Sequence, residues 1–344
     1  RDHCVTGVQT CALPISISFS SDGQTIASSG RDTTIKLWNL QGENLKTLRG
    51  HNGEVHGLSF SPDGQTLVST GTDTTVRLWN LQGEELKTLR GHNTDLWSIR
   101  FSPDGQTLTS AGSDSTIKLW TLQGGEEMST LKGHNRGGIL DISFSTDGQT
   151  LASAGGDTTI KLWNLQGEEI RTLEGHSQRV SSISFSPNGK TLASASEDGT
   201  IKLWSLDGEE LTTFEGHEGG IWRISFSPDG QILASGGKDG TIKLWDLQDQ
   251  KINTINAHSN WVWNVVFSPD GQTLLSSSDG IIKFWNLAGE ELKMIEGHSG
   301  IIYSISFNSD GQTFVSSSSD GTVKLWSIQG EELKTLENPS VAVN

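Results

Sequence analysis

The sequence is poor in the residues that mark several protein classes. Its two cysteines, Cys4 and Cys11, lie near the start of 344 residues, so a disulfide-stapled scaffold is excluded and a cytoplasmic location is expected. No apolar run approaches the roughly 18 residues of a membrane-spanning helix, and no secretory signal is visible. Basic residues are also few, and the net charge is −16. Nucleic acid and membranes are therefore not expected as partners, because both require a basic surface.

Motifs of cofactor and metal chemistry are missing as well. The glycines form no phosphate-binding loop, no Cys or His pair has zinc-ligand spacing, and no calcium loop of alternating aspartates occurs. No segment has the periodicity of an amphipathic helix. We therefore expect an all-β chain without a cofactor or a metal site.

Repetition dominates the sequence instead. The unit at residues 91–120, GHNTDLWSIRFSPDGQTLTSAGSDSTIKLW, occurs eight times with small variations. Each unit contains four strand-like segments; in the second they are residues 55–60, 66–69, 75–80 and 85–89. A period in the low forties with four short strands is typical of a propeller blade. The tryptophans that close the units are Trp38, Trp79, Trp120, Trp163, Trp204, Trp245, Trp285 and Trp326.

The fixed positions within each unit resemble those of the WD40-repeat β-propellers. Six units begin with a Gly-His pair and the seventh with Ala257-His258, and all eight have an aspartate six residues before the closing tryptophan. The resemblance covers residues 16–337 and implies a ring of four-stranded antiparallel blades that serves as a protein-interaction scaffold. Only Trp245 is followed by the aspartate of the family's name. The segments FSPDGQTL and IKLWNLQGEEL are similar to those of bacterial arrays, which often form the sensing part of a larger signalling protein with an upstream effector domain.

Eight units predict an eight-bladed, monomeric ring, with seven blades and a spare repeat as the alternative. The first fifteen residues, RDHCVTGVQTCALPI, do not fit the repeat. They resemble a translated sequencing adapter joined at about Ser16; a divergent natural first strand is the alternative. Residues 338–344 are expected to form a tail. The native N-terminus and any fused domain are then missing from this sequence.

The resemblance also implies a buried hydrogen-bonded tetrad of Asp, His, Ser and Trp in each blade. Buried polar groups require such pairing. Although Ser, His and Asp also form hydrolase triads, a set repeated around a ring and bound to an indole is structural, so we expect no enzyme activity. The complete sets are His51, Ser69, Asp73, Trp79; His92, Ser110, Asp114, Trp120; His134, Ser153, Asp157, Trp163; His176, Ser194, Asp198, Trp204; His217, Ser235, Asp239, Trp245; and His298, Ser316, Asp320, Trp326.

Two units depart from this pattern. The first has Thr10 where its histidine is expected, and the seventh has lost one residue near Ser276–Asp279. With fewer polar groups to hold their turns, these two blades are expected to be the loosest.

The functional prediction rests on the positions that vary between units. The four tryptophans outside the tetrads and the single tyrosine all lie four or six residues before the phenylalanine that ends a first strand. The resemblance places these positions, and the residue before each tetrad aspartate, on one face around the central channel. Exposed aromatic residues among mixed charges are typical of a protein-binding surface. The predicted partner-binding residues are Arg31, Glu54, His56, Asp95, Trp97, Arg179, Glu197, Trp222, Lys238, Trp261, Trp263 and Tyr303.

Three alternatives remain open. The rings could plug the channel mouth or pack on adjacent blades. An enzyme or small-molecule binder would use the channel itself, but this would need unique polar groups that point inward, and the variable residues instead resemble a rim. A purely architectural module would bind nothing on this face.

Overall fold

The computed structural model describes residues 14–122 and 125–337, and every regular element in these ranges is a β-strand. The strands form eight separate four-stranded antiparallel sheets, which confirms the predicted eight-bladed propeller. Thr10, both cysteines and the tail at 338–344 lie outside the described residues. The first strand begins at Pro14, two residues before the predicted junction at Ser16.

Blades 1 to 4 comprise β1 (Pro14–Phe19), β2 (Thr25–Gly30), β3 (Thr34–Asn39), β4 (Asn44–Arg49); β5 (Val55–Phe60), β6 (Thr66–Gly71), β7 (Val76–Asn80), β8 (Glu85–Leu89); β9 (Leu96–Phe101), β10 (Thr107–Gly112), β11 (Thr116–Thr121), β12 (Glu127–Lys132); and β13 (Ile139–Phe144), β14 (Thr150–Gly155), β15 (Ile160–Asn164), β16 (Glu169–Leu173).

Blades 5 to 8 comprise β17 (Val180–Phe185), β18 (Thr191–Ser196), β19 (Thr200–Ser205), β20 (Glu210–Glu215); β21 (Ile221–Phe226), β22 (Ile232–Gly237), β23 (Thr241–Asp246), β24 (Ile252–Asn256); β25 (Asn264–Phe267), β26 (Leu274–Ser278), β27 (Ile281–Trp285), β28 (Glu291–Glu296); and β29 (Ile302–Phe307), β30 (Thr313–Ser318), β31 (Thr322–Ser327), β32 (Glu332–Glu337).

The second blade shows why the sequence forms these hairpins. Between β5 and β6, Gly64 adopts a φ of 70°, and its N–H donates to the Ser61 carbonyl at 2.8 Å. Glycine accepts this left-handed conformation without steric cost. The Ser61 hydroxyl donates to Asp63 Oδ1 at 2.5 Å and accepts the N–H of Thr66 at 2.9 Å, so the turn is closed on both sides. The predicted bounds of β5 and β8 are confirmed, whereas β6 extends two residues further than predicted and β7 begins one residue later.

The first strand of every blade is innermost, because each one contacts the first strands of both neighbouring blades. The contact between β1 and β29 closes the ring. Ile17 and Ile26 of blade 1 pack there against Val315 and Leu336 of blade 8. Each described blade supplies its own four strands, so closure depends on face-to-face packing and not on an exchanged strand. The alternative of seven blades and a spare repeat is therefore wrong.

The hydrophobic core consists of eight clusters, one between each pair of adjacent blades. Between blades 4 and 5, for example, Leu162 and Leu173 pack against Ile183, Phe185 and Trp204. The repeat-closing tryptophans are all at most 4% exposed. A single blade cannot bury these surfaces by itself, so the ring is the unit of stability.

Each complete tetrad is a directed chain of hydrogen bonds, as blade 5 shows. The Nδ1–H of His176 donates to Asp198 Oδ2 at 3.0 Å, which leaves Nε2 of the same ring as an acceptor. The Ser194 hydroxyl donates to that Nε2 at 2.8 Å and accepts the indole N–H of Trp204 at 2.8 Å. The six predicted sets all make these three contacts.

The tetrad aspartate is held as a carboxylate. Burial alone would raise the pKa of Asp198, but hydrogen bonds from His176, from Thr200 and from the backbone N–H of Ser177 outweigh burial and lower the pKa well below its ordinary value. Asp198 thereby joins the loop before the first strand to the turn between the second and third strands.

Blade 7 lacks one contact of a complete tetrad, as the sequence predicts, whereas the expectation that blades 1 and 7 are the loosest stays a prediction. In blade 7, His258 Nε2 and the Trp285 indole contact the Ser276 hydroxyl at 2.8 and 2.9 Å. No hydrogen bond joins His258 to Asp279, which adopts a φ of 47° in the shortened turn and accepts from Asn260 instead. Burial and, next, the charge of Lys283 lower the pKa of His258 to about 4. In blade 1 the Trp38 indole still donates to Ser28, at 2.9 Å.

We predict that Ser194→Ala loosens blade 5. The change leaves the Trp204 N–H and His176 Nε2 without partners, at a cost of about 1–3 kcal/mol for each buried group. Amide exchange of β18 and β19, followed by mass spectrometry, should accelerate accordingly. Ser177→Ala is the control, because only the backbone N–H of Ser177 contacts Asp198. Equal exchange in the two variants would contradict the role given to the hydroxyl.

We also predict an acid-sensitive blade 7. The folded pKa of His258, about 4, lies below the unfolded value of about 6.5, so the unfolded chain binds the proton more tightly. The stabilisation is complete above about pH 6.5 and is lost as the pH falls towards 4, by up to about 3 kcal/mol. The Tm of the wild-type protein should therefore fall more steeply over this range than that of His258→Gln. Parallel Tm curves for the two proteins would rule this out.

Candidate protein-binding face

The predicted binding positions lie on one face, and in blades 2 to 6 and blade 8 a backbone hydrogen bond joins the two loops that carry them. The N–H of the residue before the tetrad aspartate donates to the carbonyl of the loop that enters the first strand. The bond is 2.9 Å from Ser113 to Asp95 and 2.8 Å from Lys238 to Gly220. We call this surface, formed by the loops before the first strands and the turns between the second and third strands, the rim face. The tetrads lie directly below it and fix its backbone.

Blades 1 to 3 contribute one group, which we call the Trp97 cluster: the predicted residues Arg31, Glu54, His56 and Trp97, together with Ser113. The Glu54 carboxylate lies 3.6 Å from Arg31 Nε and 3.3 Å from His56 Nε2. The His56 ring stacks on Trp97 with 4.8 Å between centroids. The Trp97 indole N–H donates to Ser113 at 2.6 Å, and Trp97 remains 47% exposed. The cluster is therefore ordered by internal contacts but open to solvent.

Blades 6 and 7 contribute a second group, the tryptophan triad of Trp222, Trp261 and Trp263. The three ring centroids lie 5.4 to 6.0 Å apart, and Trp222 stacks on Trp263 with 23° between the planes. Trp261 is 39% exposed, whereas the other two rings are half-buried. The alternative in which the rings pack on adjacent blades thus applies in part, yet one broad aromatic surface remains accessible.

Charged residues border the triad. Lys238 Nζ lies 4.6 Å above the centroid of the Trp222 ring and 5.4 Å from that of Trp261. Its other neighbour is Glu197, 3.7 Å away, and this carboxylate also lies 3.7 Å from Arg179 Nε. Such exposed ion pairs contribute little stability, about 0–1 kcal/mol each. Their arrangement fixes charge positions more than it holds the fold.

The two groups lie on opposite sides of the ring, since blade 2 faces blade 6 in an eight-bladed closure. The two remaining predicted residues, Asp95 and Tyr303, are half-buried and take no part in the contacts that define either group.

Sequence reasoning missed a set of charges on the innermost strands. Arg100 on β9, Asp141 on β13 and Arg223 on β21 replace residues that are mostly serine in the other units. These residues are polar groups of the kind that a channel ligand would need, and they are not among the residues predicted from the sequence. The sequence does show that serine is replaced at these three positions. They lie on the first strands, however, and not in the loops that carry the variable aromatic residues.

The charges of Asp141, on the adjacent blade, and of Arg223, on blade 6, both act on Arg100. Arg100 is surrounded by protein yet keeps accessible surface, as a side chain in an open channel does. Burial lowers its pKa, the charge of Asp141 opposes this, and the charge of Arg223 adds to it. Asp141 is itself engaged, because its Oδ2 accepts the N–H of Ile183 in the next blade at 3.1 Å. The two guanidinium groups are therefore the charges most available to a ligand in the channel.

No three His, Cys, Asp or Glu side chains in the described ranges converge as metal ligands would. Nor does any helix long and apolar enough to cross a membrane occur at residues 14–122 or 125–337.

Comparisons with known proteins agree with this architecture. The family model described as the IFT122 first beta-propeller matches residues 95–343. The model of the WD domain, G-beta repeat, matches residues 3–39 and 42–80. The crystal structure of the computationally designed Ika8 protein is similar, with a TM-score of 0.82 and 30% identity over 93% of this chain and 98% of that one. The comparison with curated proteins gave no match. The chain belongs to the WD40-repeat β-propeller family.

Proposed function

We propose that this chain is a non-catalytic module that binds a polypeptide on its rim face. The observation that carries the proposal is the pair of exposed aromatic groups, the Trp97 cluster and the tryptophan triad, each bordered by charged residues. WD40 propellers are commonly protein-interaction scaffolds. Tryptophan and arginine dominate the energetics of protein interfaces, so these groups are suitable anchors.

Pre-organisation supports the same conclusion. The rings of both groups are held by stacking and by backbone that the tetrads fix from below, so little side-chain entropy would be lost on binding. Because the groups lie on opposite sides of the ring, a partner that uses both must cross the mouth of the channel. An extended segment or a long loop has the required shape.

The tetrads are unsuited to catalysis. Ser194 is completely buried, and its hydroxyl is already shared between an imidazole and an indole. A nucleophile must be reachable by its substrate, and this one is not. We further propose that the module is a monomeric ring that works in the cytoplasm as the recognition part of a larger bacterial signalling protein; the near-identity of its units supports this proposal.

The channel supports a second candidate function. Arg100 and Arg223 could bind a small polyanion, because guanidinium groups pair well with phosphate and carboxylate oxygens. We predict that, if the channel is used in this way, tripolyphosphate raises the Tm of the wild-type protein but not that of Arg100→Ser/Arg223→Ser. An equal rise in both proteins would assign the effect to another surface.

The rim-face proposal predicts a specific loss of peptide binding. Peptides selected from a random library on the wild-type protein should bind Trp222→Ala/Trp261→Ala or Trp97→Ala at least about tenfold more weakly, since truncation of such an anchor costs about 2 kcal/mol or more. Binding is measured by calorimetry with the purified proteins.

Leu86→Ala and Leu292→Ala are the matched controls. These side chains are 54% and 56% exposed, but they lie on the outermost strands and not on the rim face. Peptides that lose affinity only for Arg100→Ser/Arg223→Ser would favour the channel. Peptides that bind all variants equally would refute the rim-face proposal.

A further inference from the structure

Lys238 occupies a cation site on the rim face. Its ammonium group lies over the faces of Trp222 and Trp261, at 4.6 and 5.4 Å from the ring centroids, and 3.7 Å from Glu197 Oε1. The negative face of an indole attracts a cation, and a nearby carboxylate adds to this attraction. The two rings and the carboxylate therefore form a complete receptor for a positive charge, which the chain's own lysine fills.

This contact differs from the other lysine–tryptophan contacts of the ring. Lys324, for example, lies 5.7 Å from the ring of Trp326, which is only 2% exposed, and donates to Glu332 at 2.7 Å. Such contacts belong to the framework of each blade. Lys238 instead rests on rings that are exposed or half-buried, and its distance to the carboxylate is too long for a direct hydrogen bond. It can therefore be exchanged.

We propose that an arginine side chain of the bound polypeptide displaces Lys238 and takes its place on Trp222, Trp261 and Glu197. The inference rests on the proposed polypeptide-binding function. A planar guanidinium stacks on an indole and presents paired N–H groups to a carboxylate, which a single ammonium cannot do. The net charge of −16 also favours a basic partner segment.

A further observation is consistent with a cluster that is incomplete without a partner. The indole N–H of Trp222 is buried and has no acceptor among the described residues. An unsatisfied buried donor is costly, and an acceptor group on the bound polypeptide would remove this cost. Lys238 then competes with the arginine of the partner for the site. The apparent affinity for the partner is the intrinsic affinity multiplied by the fraction of time that the site is free of Lys238.

The test uses protein labelled with 5-fluorotryptophan and titrated with N-acetyl-argininamide, followed by fluorine NMR. The resonances of Trp222 and Trp261 should shift and saturate, whereas those of the buried repeat tryptophans should not. The neutral citrulline analogue should have no effect. In Lys238→Ala and Lys238→Met the dissociation constant should fall by about tenfold, if Lys238 fills the site about nine-tenths of the time.

Two further variants separate the site from general attraction to an acidic protein. Lys324→Ala removes a lysine–tryptophan contact away from the rim face and should leave the titration unchanged. Glu197→Gln should weaken binding severalfold, because the guanidinium loses its carboxylate.

Three results would overturn the inference: no saturable shift in the wild-type protein or the Lys238 variants, equal shifts with the citrulline analogue, or weaker binding in both Lys238 variants. The last result would make Lys238 a clamp that positions the rings. If library peptides depend on Trp222 while N-acetyl-argininamide fails to bind, this inference fails and the proposed function stands. If the library peptides bind the tryptophan variants as tightly as the wild-type protein, the proposed function itself is refuted.

Discussion

In the six blades with a complete tetrad, one buried serine hydroxyl connects the parts on which the ring and its rim face depend. It accepts the indole N–H of the repeat tryptophan and donates to the imidazole that a carboxylate orients, as Ser194 does in blade 5. Each of these polar groups would be costly to bury alone. Together they place a large aromatic ring between two blades and join two loops of the same blade. The network thus serves inter-blade packing and loop geometry at once.

Because the network holds the backbone of the loops, the side chains of the rim face are free to vary. In blades 2 to 6 and blade 8, a backbone hydrogen bond holds the residue before the tetrad aspartate, so its side chain can be Ser113 in one blade and Lys238 in another without changing the turn. Stability comes from the tryptophans and aliphatic residues between the sheets, which hardly differ from unit to unit. Exposed aromatic and charged side chains can then be concentrated in a few blades, as they are around Trp97 and around Trp222.

The sequence was sufficient to predict the strands, the blade number and six complete tetrads, because repetition exposes every position that the fold requires. It also located the defect in blade 7. The turn there is one residue shorter, and Asp279 makes no hydrogen bond to His258. Contacts between units were harder to predict. Lys238 meets Glu197 of the preceding blade and Trp261 of the following one, and only the curvature of the ring brings residues so distant in sequence together. The charges of Arg100 and Arg223 were not predicted, because these residues lie on the first strands and not in the loops that carry the variable aromatic residues.

The charge distribution gives the rim face a character distinct from that of the whole chain. Many of the acidic residues belong to tetrads and hairpin turns, where hydrogen bonds such as those to Asp198 and Asp63 already engage them. On the rim face, by contrast, Glu54 and Glu197 each lie between two basic side chains, at distances of 3.3 to 3.7 Å. Every carboxylate in these groups therefore already has basic neighbours within the chain. A partner gains little from adding charge there and more from exchanging one cation for another that also covers an aromatic ring. In the proposed binding mode, selectivity accordingly depends on the shape of the incoming side chain as well as on its charge.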